Sequence, residues 1–234
     1  MRTAIITGAA RGIGKEIAHR LATDFDHLVV VDLSPTLADA ALELEATGVR
    51  VTPVEANLTT DAGVAAVVDA VETVAALVNN AGITRDARLV NMDEADFRAV
   101  LDVNLGAPYR LAMALDGTWA DEATIVNIAS RAYLGNFGQF NYSMSKGGVV
   151  GLSRALAISL APRVRVNAVA PGLTATDMVE TIPDDVIARM VAAIPLGRMG
   201  EPSEIADVVA WLCSSQSSYV TGQVVVAGGG RSLT

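Results

Sequence analysis

The sequence is short of several things, and each shortage excludes a class of protein. It has one cysteine, Cys213, in 234 residues, which rules out an internal disulfide framework and fits a reducing compartment. It has no long uninterrupted apolar run. The longest charge-free stretch, Val208 to Gly230, is broken by Ser214, Ser215, Gln216, Ser217, Ser218, Thr221 and Gln223, so no membrane span is expected. It lacks a basic excess. A net charge of -9 argues against nucleic acid as a partner, because a phosphate backbone needs a basic patch to bind. Met1-Arg2 passes directly into Thr3-Ala4-Ile5-Ile6-Thr7, leaving no room for a signal peptide, and a cytoplasmic location is expected. Lysine is scarce too. Lys15 and Lys146 are the only lysines among 17 basic residues, so a lysine at a chemically demanding position is informative. No metal site is expected.

What is abundant is Ala and Val in short runs, which with 51% hydrophobic residues and a mean hydropathy of +0.40 suits parallel strands covered by helices on both faces. Strands are predicted at Thr3–Thr7, Leu28–Val31, Arg50–Val54, Ala76–Asn79, Ala123–Ile128, Val164–Val169 and Gln223–Ala227. Helix-period segments lie between them at Ile13–Thr23, Thr36–Thr47, Asp61–Thr73, Glu94–Leu115, Tyr142–Leu160 and Pro202–Ser214. This alternation predicts one α/β domain over residues 1–234, a Rossmann-type doubly wound, seven-stranded parallel sheet with helices on both faces. Pro171-Gly172 and Pro195–Gly200 bracket residues 173–196, a candidate substrate lid at the ligand-binding edge of the strands. Its apolar Met178, Val179, Ile182, Val186, Ile187 and Met190 suit either an apolar substrate or an amphipathic helix sealing the site.

After the first strand comes Thr7-Gly8-Ala9-Ala10-Arg11-Gly12-Ile13-Gly14, opening a helix. Glycines here allow a tight turn and close backbone approach, and a helix N-terminus offers free N–H groups to a pyrophosphate. Taken alone, the loop is weak evidence, since a structural turn between strand and helix also fits it. The second strand ends in Asp32, 18 residues beyond Gly14, followed by Leu33. A carboxylate there accepts hydrogen bonds from ribose hydroxyls and repels a 2′-phosphate, which favours NAD. Arg11 pulls toward NADP, the alternative, since a guanidinium pairs with a 2′-phosphate.

Tyr142 and Lys146 stand four apart on one helix face, and Ser130 lies 12 residues before Tyr142, just past a strand. Tyrosine is a poor acid or base near neutrality, with a reference pKa of about 10. A nearby ammonium and an oxidised nicotinamide ring are each expected to lower it. The Ser130 hydroxyl would hold a substrate oxygen while Tyr142 passes the proton. Singly these residues are ordinary: an amphipathic tyrosine, an exposed lysine, a turn serine.

In combination the chain resembles the short-chain dehydrogenase/reductase family over essentially its whole length. The matching elements are the Thr7–Gly14 loop, Asn79-Asn80-Ala81-Gly82, Asn104 in Val103-Asn104-Leu105, Ser130, Tyr142-x-x-x-Lys146 and Pro171-Gly172. The resemblance implies Tyr142 as general acid/base, Ser130 as the carbonyl-polarising residue, Lys146 on the nicotinamide ribose and Asn104 in a water-mediated proton relay. It places Gly8, Arg11, Gly12, Ile13, Gly14, Asp32, Leu33, Asn57, Leu58, Asn80, Ala81, Gly82, Pro171 and Gly172 around the dinucleotide, with Thr174 and Thr176 at the carboxamide. One departure is Asn57, where many members carry aspartate. Its carbonyl is expected still to reach the adenine amino group.

Within the family, Gly82–Asp86, Gly135–Gln139 and Thr176-Asp177-Met178 look most like 3-oxoacyl-[acyl-carrier-protein] reductases. Against that, Asp32 disfavours NADPH, and Asp116-Gly117-Thr118-Trp119-Ala120-Asp121-Glu122 is acidic where a carrier-docking surface is basic. Arg163 and Arg165 remain as carrier contacts or as a solvated helix end. The leading expectation is an NAD(H)-linked enzyme for a small hydroxy/oxo substrate, such as a 3-hydroxyacyl-CoA. A biosynthetic, NADPH-dependent carrier reductase is the alternative, and a non-catalytic dinucleotide sensor the remote one. The resemblance also implies a homotetramer built on surplus apolar residues of Glu94–Leu115 and Tyr142–Leu160 and on Tyr219–Thr234.

Overall fold

The computed structural model describes residues 1–176 and 183–233. Its strands are β1 (Thr3–Thr7), β2 (His27–Asp32), β3 (Arg50–Glu55), β4 (Val74–Asn79), β5 (Trp119–Ile128), β6 (Val164–Pro171) and β7 (Val224–Ala227). All pair in parallel, in the order β3-β2-β1-β4-β5-β6-β7. Helices α1 (Gly12–Leu21), α2 (Leu37–Glu45), α3 (Asp61–Asp69), α4 (Glu94–Leu101), α5 (Ala107–Ala114), α6 (Phe140–Leu160), α7 (Asp184–Ala192) and α8 (Pro202–Leu212) connect them.

Alternation along the strands divides the core in two. Ala4, Ile6, Leu28 and Val30 pack with Ile17 and Leu21 of α1, Leu44 of α2 and Ile205 and Val209 of α8. Ile5, Val29, Val31, Leu77 and Ile125 face the other way, onto Val67 of α3, Leu111 of α5 and Leu156 of α6. Every strand residue of β1 is buried, so a polar substitution anywhere along it would be costly. Each fully buried Val, Leu or Ile contributes roughly 1.5–3 kcal/mol relative to exposure. Local signals start the helices. Thr60 caps α3 by accepting from the Gly63 N–H at 3.1 Å, Asp93 caps α4 through the Ala95 N–H at 2.7 Å, and Glu201 and Glu204 form a reciprocal capping box on α8.

The order reverses between β1 and β4, and the crevice beyond their carboxyl ends is where such sheets take ligands. The expected Glu94–Leu115 helix is instead two helices joined by a π turn, Asp102–Gly106, in which the Ala107 N–H bonds the Asp102 carbonyl. The physical reason is Asn104, whose side chain is tied to the backbone of Ile83 and so draws the turn inward. β5 begins at Trp119, four residues before the expected Ala123, and α6 begins at Phe140, two before Tyr142. Gln223 lies outside β7, its N–H bonded to the Asn167 side chain at 3.0 Å. Of the candidate lid, Met178, Val179 and Ile182 fall outside the described residues, as does Asp177. The remainder contains α7, with Val186, Ile187 and Met190 half-buried on one side. Among the described residues no helix is long and apolar enough to cross a membrane.

Candidate active site

The Gly8–Gly14 loop is shaped by sterics. Gly8 has φ +67, and a Cβ on it would stand 2.8 Å from the Ala81 Cα. A Cβ on Gly14 would stand 2.0 Å from the Gly8 carbonyl oxygen, so the helix start and the loop touch backbone to backbone. The NNAG segment after β4 braces this loop. Asn80 Nδ2 donates to the carbonyls of Thr7 and Gly8, both at 3.0 Å, while Thr7 Oγ1 accepts from the N–H groups of Asn80 and Ala81. Both hydrogens of the Asn80 amide are thus spent on the loop rather than presented to a ribose. Arg11 is exposed at the start of α1, beside Gly12 and Ile13. Thr176 lies above the loop, its Cγ2 3.8 Å from where a Cβ on Gly12 would stand.

At the end of β2, Asp32 Oδ1 accepts from the N–H groups of Leu33 (2.7 Å) and Ser34 (3.0 Å), and Oδ2 from Ala10 (3.0 Å). The carboxylate is thereby fixed between the loop and the β2 end, with Leu33 exposed beside it. Asn57 is arranged differently from expectation. Its Oδ1 accepts from Thr59 N–H (3.0 Å) and Oγ1 (2.8 Å), closing an Asx turn that leads into α3. That carbonyl is therefore shared with a turn rather than reserved for an adenine amino group. Leu58 turns its side chain into the core.

The catalytic candidates meet at the ends of β5 and β6. Ser130 Oγ accepts from the Ala132 N–H at 3.2 Å, capping the short turn Arg131–Leu134, and lies near enough to the Tyr142 phenol to lower its pKa. Lys146 is buried. Its Nζ donates to the Ile128 carbonyl at 2.7 Å and lies 5.6 Å from the centre of the Tyr142 ring. Burial lowers the Lys146 pKa to about 8. Tyr142 departs from expectation: burial raises its pKa, opposed by the nearby Ser130 hydroxyl and reinforced by the charge of Asp86. Loss of solvation is the largest of these effects, and the Lys146 ammonium is not among the groups that shift the phenol. Asn104 is buried. Its Oδ1 accepts from the Ile83 N–H (2.8 Å), and Nδ2 donates to the Ile83 carbonyl and to Ser145 Oγ, both at 3.0 Å. Ser145 in turn donates to the Tyr142 carbonyl at 2.8 Å. Both amide hydrogens of Asn104 are taken, and its side chain ties the Ile83 loop to α6. Gly82 lies between them, and a Cβ on it would stand 3.5 Å from Lys146 Nζ.

Several neighbouring contacts were not expected from the sequence. Asn141 Nδ2 holds the Arg85 carbonyl at 2.8 Å, and Gln139 Nε2 holds the Asp86 carboxylate at 2.8 Å, docking the loop after Gly82 onto the start of α6. Gly172 meets Gly228 so closely that a Cβ would lie 2.6 Å from the Gly228 Cα. Pro171 and Thr174 are buried, Thr174 Oγ1 reaching the Gly172 carbonyl at 3.4 Å. A cavity of about 480 Å³ lined by Leu173, Ile194, Leu196, Ile205, Val208 and Val226 lies behind this segment and does not reach Ser130 or Tyr142.

Comparison with known proteins agrees with this geometry. A family model described as Enoyl-(Acyl carrier protein) reductase matches residues 8–232. The chain is 39% identical to the 3-oxoacyl-[acyl-carrier-protein] reductase FabG of Aquifex aeolicus (strain VF5), covering 98% of this chain and 96% of that protein. It is 40% identical to the (2S)-[(R)-hydroxy(phenyl)methyl]succinyl-CoA dehydrogenase subunit BbsD of Thauera aromatica, over 99% and 97%. A solved short-chain dehydrogenase/reductase from Brucella melitensis, described as glucose/ribitol dehydrogenase, superposes with a TM-score of 0.94 at 32% identity, over 98% and 96% of the two chains. The chain belongs to the short-chain dehydrogenase/reductase family. It is an oxidoreductase acting between CH–OH and carbonyl groups with a nicotinamide cofactor. The steric cradle at Gly8 and Gly14, the fixed Asp32 carboxylate and the buried Lys146 fit such a cofactor.

Two surfaces of this dehydrogenase/reductase bear on its partners. Arg163 pairs with Asp116 at 2.7 Å, and Arg165 is consumed by the carbonyls of Leu212, Ser214 and Val220 and by Ser217 Oγ. Apolar side chains stand exposed on α5 and α6 (Tyr109, Met113, Met144, Ile158) and near the C-terminus (Trp211, Tyr219, Leu233).

Proposed function

We propose that this enzyme transfers hydride between NAD(H) and a small oxo/hydroxy substrate, with 3-oxoacyl or 3-hydroxyacyl thioesters as the leading class. The observation that carries the reading is the cluster of Ser130, Tyr142 and Lys146 at the sheet edge beside the glycine cradle. A bound nicotinamide dinucleotide supplies or accepts the hydride. Ser130 and Tyr142 hydroxyls hold the substrate oxygen together. Tyr142, with its raised pKa, keeps its proton and donates it to that oxygen during reduction. Lys146 binds the nicotinamide ribose and supports the phenolate when the reaction runs toward the ketone. Asn104 and Ser145 hold the backbone of Tyr142 in register with the Ile83 loop. Asp32 accepts from the adenosine ribose and excludes a 2′-phosphate, which makes NAD the preferred cofactor and NADP the poorer one.

The second reading is reduction of a carrier-bound 3-oxoacyl group, supported by the names of the relatives. The acidic stretch Asp116–Glu122 and the internal use of Arg163 and Arg165 weigh against docking an acidic carrier. We take the chain as a single catalytic domain, cytoplasmic, assembling as a homotetramer through the apolar faces of α5, α6 and the C-terminal segment. Light scattering tests that assembly, and a monomer overturns it. Turnover of acetoacetyl-CoA tests the reaction: wild type oxidises NADH, and Tyr142→Phe does not. Equal turnover by both would sink the acid/base assignment.

A further inference from the structure

The loop that follows Gly82 is docked onto the first turn of α6 by contacts that converge on Asp86. Gln139 Nε2 donates to Asp86 Oδ2 at 2.8 Å. Asn136 Nδ2 holds Gln139 Oε1 at 2.7 Å, which fixes the end of that amide that faces the carboxylate. Ala87 bridges Gln139 in parallel through the backbone. Asn141 is fully buried; its Nδ2 donates to the Arg85 carbonyl at 2.8 Å and its Oδ1 accepts from the Tyr142 N–H at 2.7 Å. One side chain thus spans from the residue before Asp86 to the backbone of Tyr142. Gln139 precedes Tyr142 by three residues, about 4.5 Å along the helix axis. The Asp86 carboxylate is therefore held at the Tyr142 end of α6 by two side chains.

The surrounding charges leave Asp86 uncompensated. Arg85 turns to Asp96 (3.6 Å) and Arg88 to the Phe137 ring (5.4 Å), so among the described residues no cation is paired with Asp86. α4 packs on α6 through Phe97 on Phe140, and its Glu94 is paired with Arg98. Gly172, Leu173 and Thr174, following β6, bring no charge. Lys146 on the same helix and Arg131 in the turn after Ser130 are cations, yet the charge that acts on the phenol is that of Asp86, and it adds to the effect of burial. A negative charge nearby opposes formation of a phenolate. We propose that Asp86 is a positioning residue for the reaction: its carboxylate, fixed against the start of α6 by Gln139 and Asn141, keeps the Tyr142 hydroxyl in the proton-donating form that carbonyl reduction requires. This rests on the reaction proposed above and adds the group that governs its proton donor.

The test is the pH profile of 3-hydroxybutyryl-CoA oxidation and acetoacetyl-CoA reduction in wild type, Asp86→Asn and Asp86→Glu. Asparagine can still accept from Gln139, so the loop stays docked while the charge is lost. In Asp86→Asn the alkaline rise of oxidation should move down by about half a pH unit, giving about threefold faster oxidation at a fixed pH below it. The alkaline decline of reduction should move the same way, and Asp86→Glu should keep the wild-type profile. Because Asp86 is exposed, high salt should reproduce part of the shift in wild type without any substitution. Unmoved limbs in Asp86→Asn, or an equal loss of rate at every pH, would overturn the inference. Ultraviolet titration of tyrosinate, taken as the difference between each protein and its Tyr142→Phe partner, reads the same group without turnover, and its midpoint should fall in Asp86→Asn. If Tyr142→Phe keeps full turnover, the proposed reaction fails, and that titration still decides whether Asp86 holds the proton on the phenol.

Discussion

The β1–β2 half of the sheet prepares its ligand edge with backbone, whereas the β4–β5–β6 half prepares its edge with buried side chains. Around Gly8 the loop backbone meets the Ala81 backbone and the Asn80 side-chain amide, and no side chain larger than hydrogen fits at Gly14. Around Tyr142 the work falls to Lys146, Asn104, Ser145 and Ser130, polar groups taken out of water and satisfied one by one. The first arrangement is rigid and cheap to hold once the glycines are in place. The second keeps titratable groups at unfavourable protonation, and that cost is a requirement of proton transfer at this edge.

The difference between the halves is largest at Tyr142. Tyr142→Phe should lower kcat/KM by about 10²–10⁴-fold, the span of general acid/base catalysis, with Tm nearly unchanged, as steady-state rates and a melting curve would record. Gly14→Ala should act in the opposite manner. Its methyl meets the Gly8 carbonyl, so a loss of about 1–3 kcal/mol in denaturant unfolding and a loss of dinucleotide affinity should come together. Lys146→Met separates activity from stability. Activity should vanish, yet stability at pH 7 should rise by about 1–2 kcal/mol, because a buried ammonium is removed. The folded pKa of about 8 lies below the ordinary lysine value, so the wild-type penalty is full below pH 8. It fades as pH climbs toward the unfolded value, and urea titrations at pH 7 and pH 10 should show the gap closing. The raised Tyr142 pKa predicts that alcohol oxidation accelerates through the alkaline range, whereas ketone reduction is already available near neutrality. The smallest effect concerns Cys213. Burial pushes its thiol up to about 12, so a thiol reagent should find no reactive group until the protein unfolds.

The two halves also differ in how far the sequence spelled them out. Strand and helix alternation is local, and every predicted strand has its counterpart, from Thr3–Thr7 at one point of the sheet to β7 at its edge. The glycine loop and Asp32 were legible because a backbone-approach site must be written in glycine and a strand-end carboxylate. The π turn at Asp102–Gly106 was not, since its cause is a bond from Asn104 to Ile83, 21 residues away in sequence. Ser130, Tyr142 and Lys146 were visible by spacing and by the rarity of lysine. Their protonation was not, because burial sets it, and burial depends on how β5, β6 and α6 pack.

The role of the fixed Asp32 carboxylate is tested most directly by equilibrium binding of NADH and NADPH to wild type and Asp32→Ala, monitored by cofactor fluorescence. Wild type should bind NADH at least about tenfold tighter than NADPH, roughly 1.4 kcal/mol, and the variant should lose that preference. Tighter binding of NADPH by wild type would contradict the assignment of NAD as the preferred cofactor.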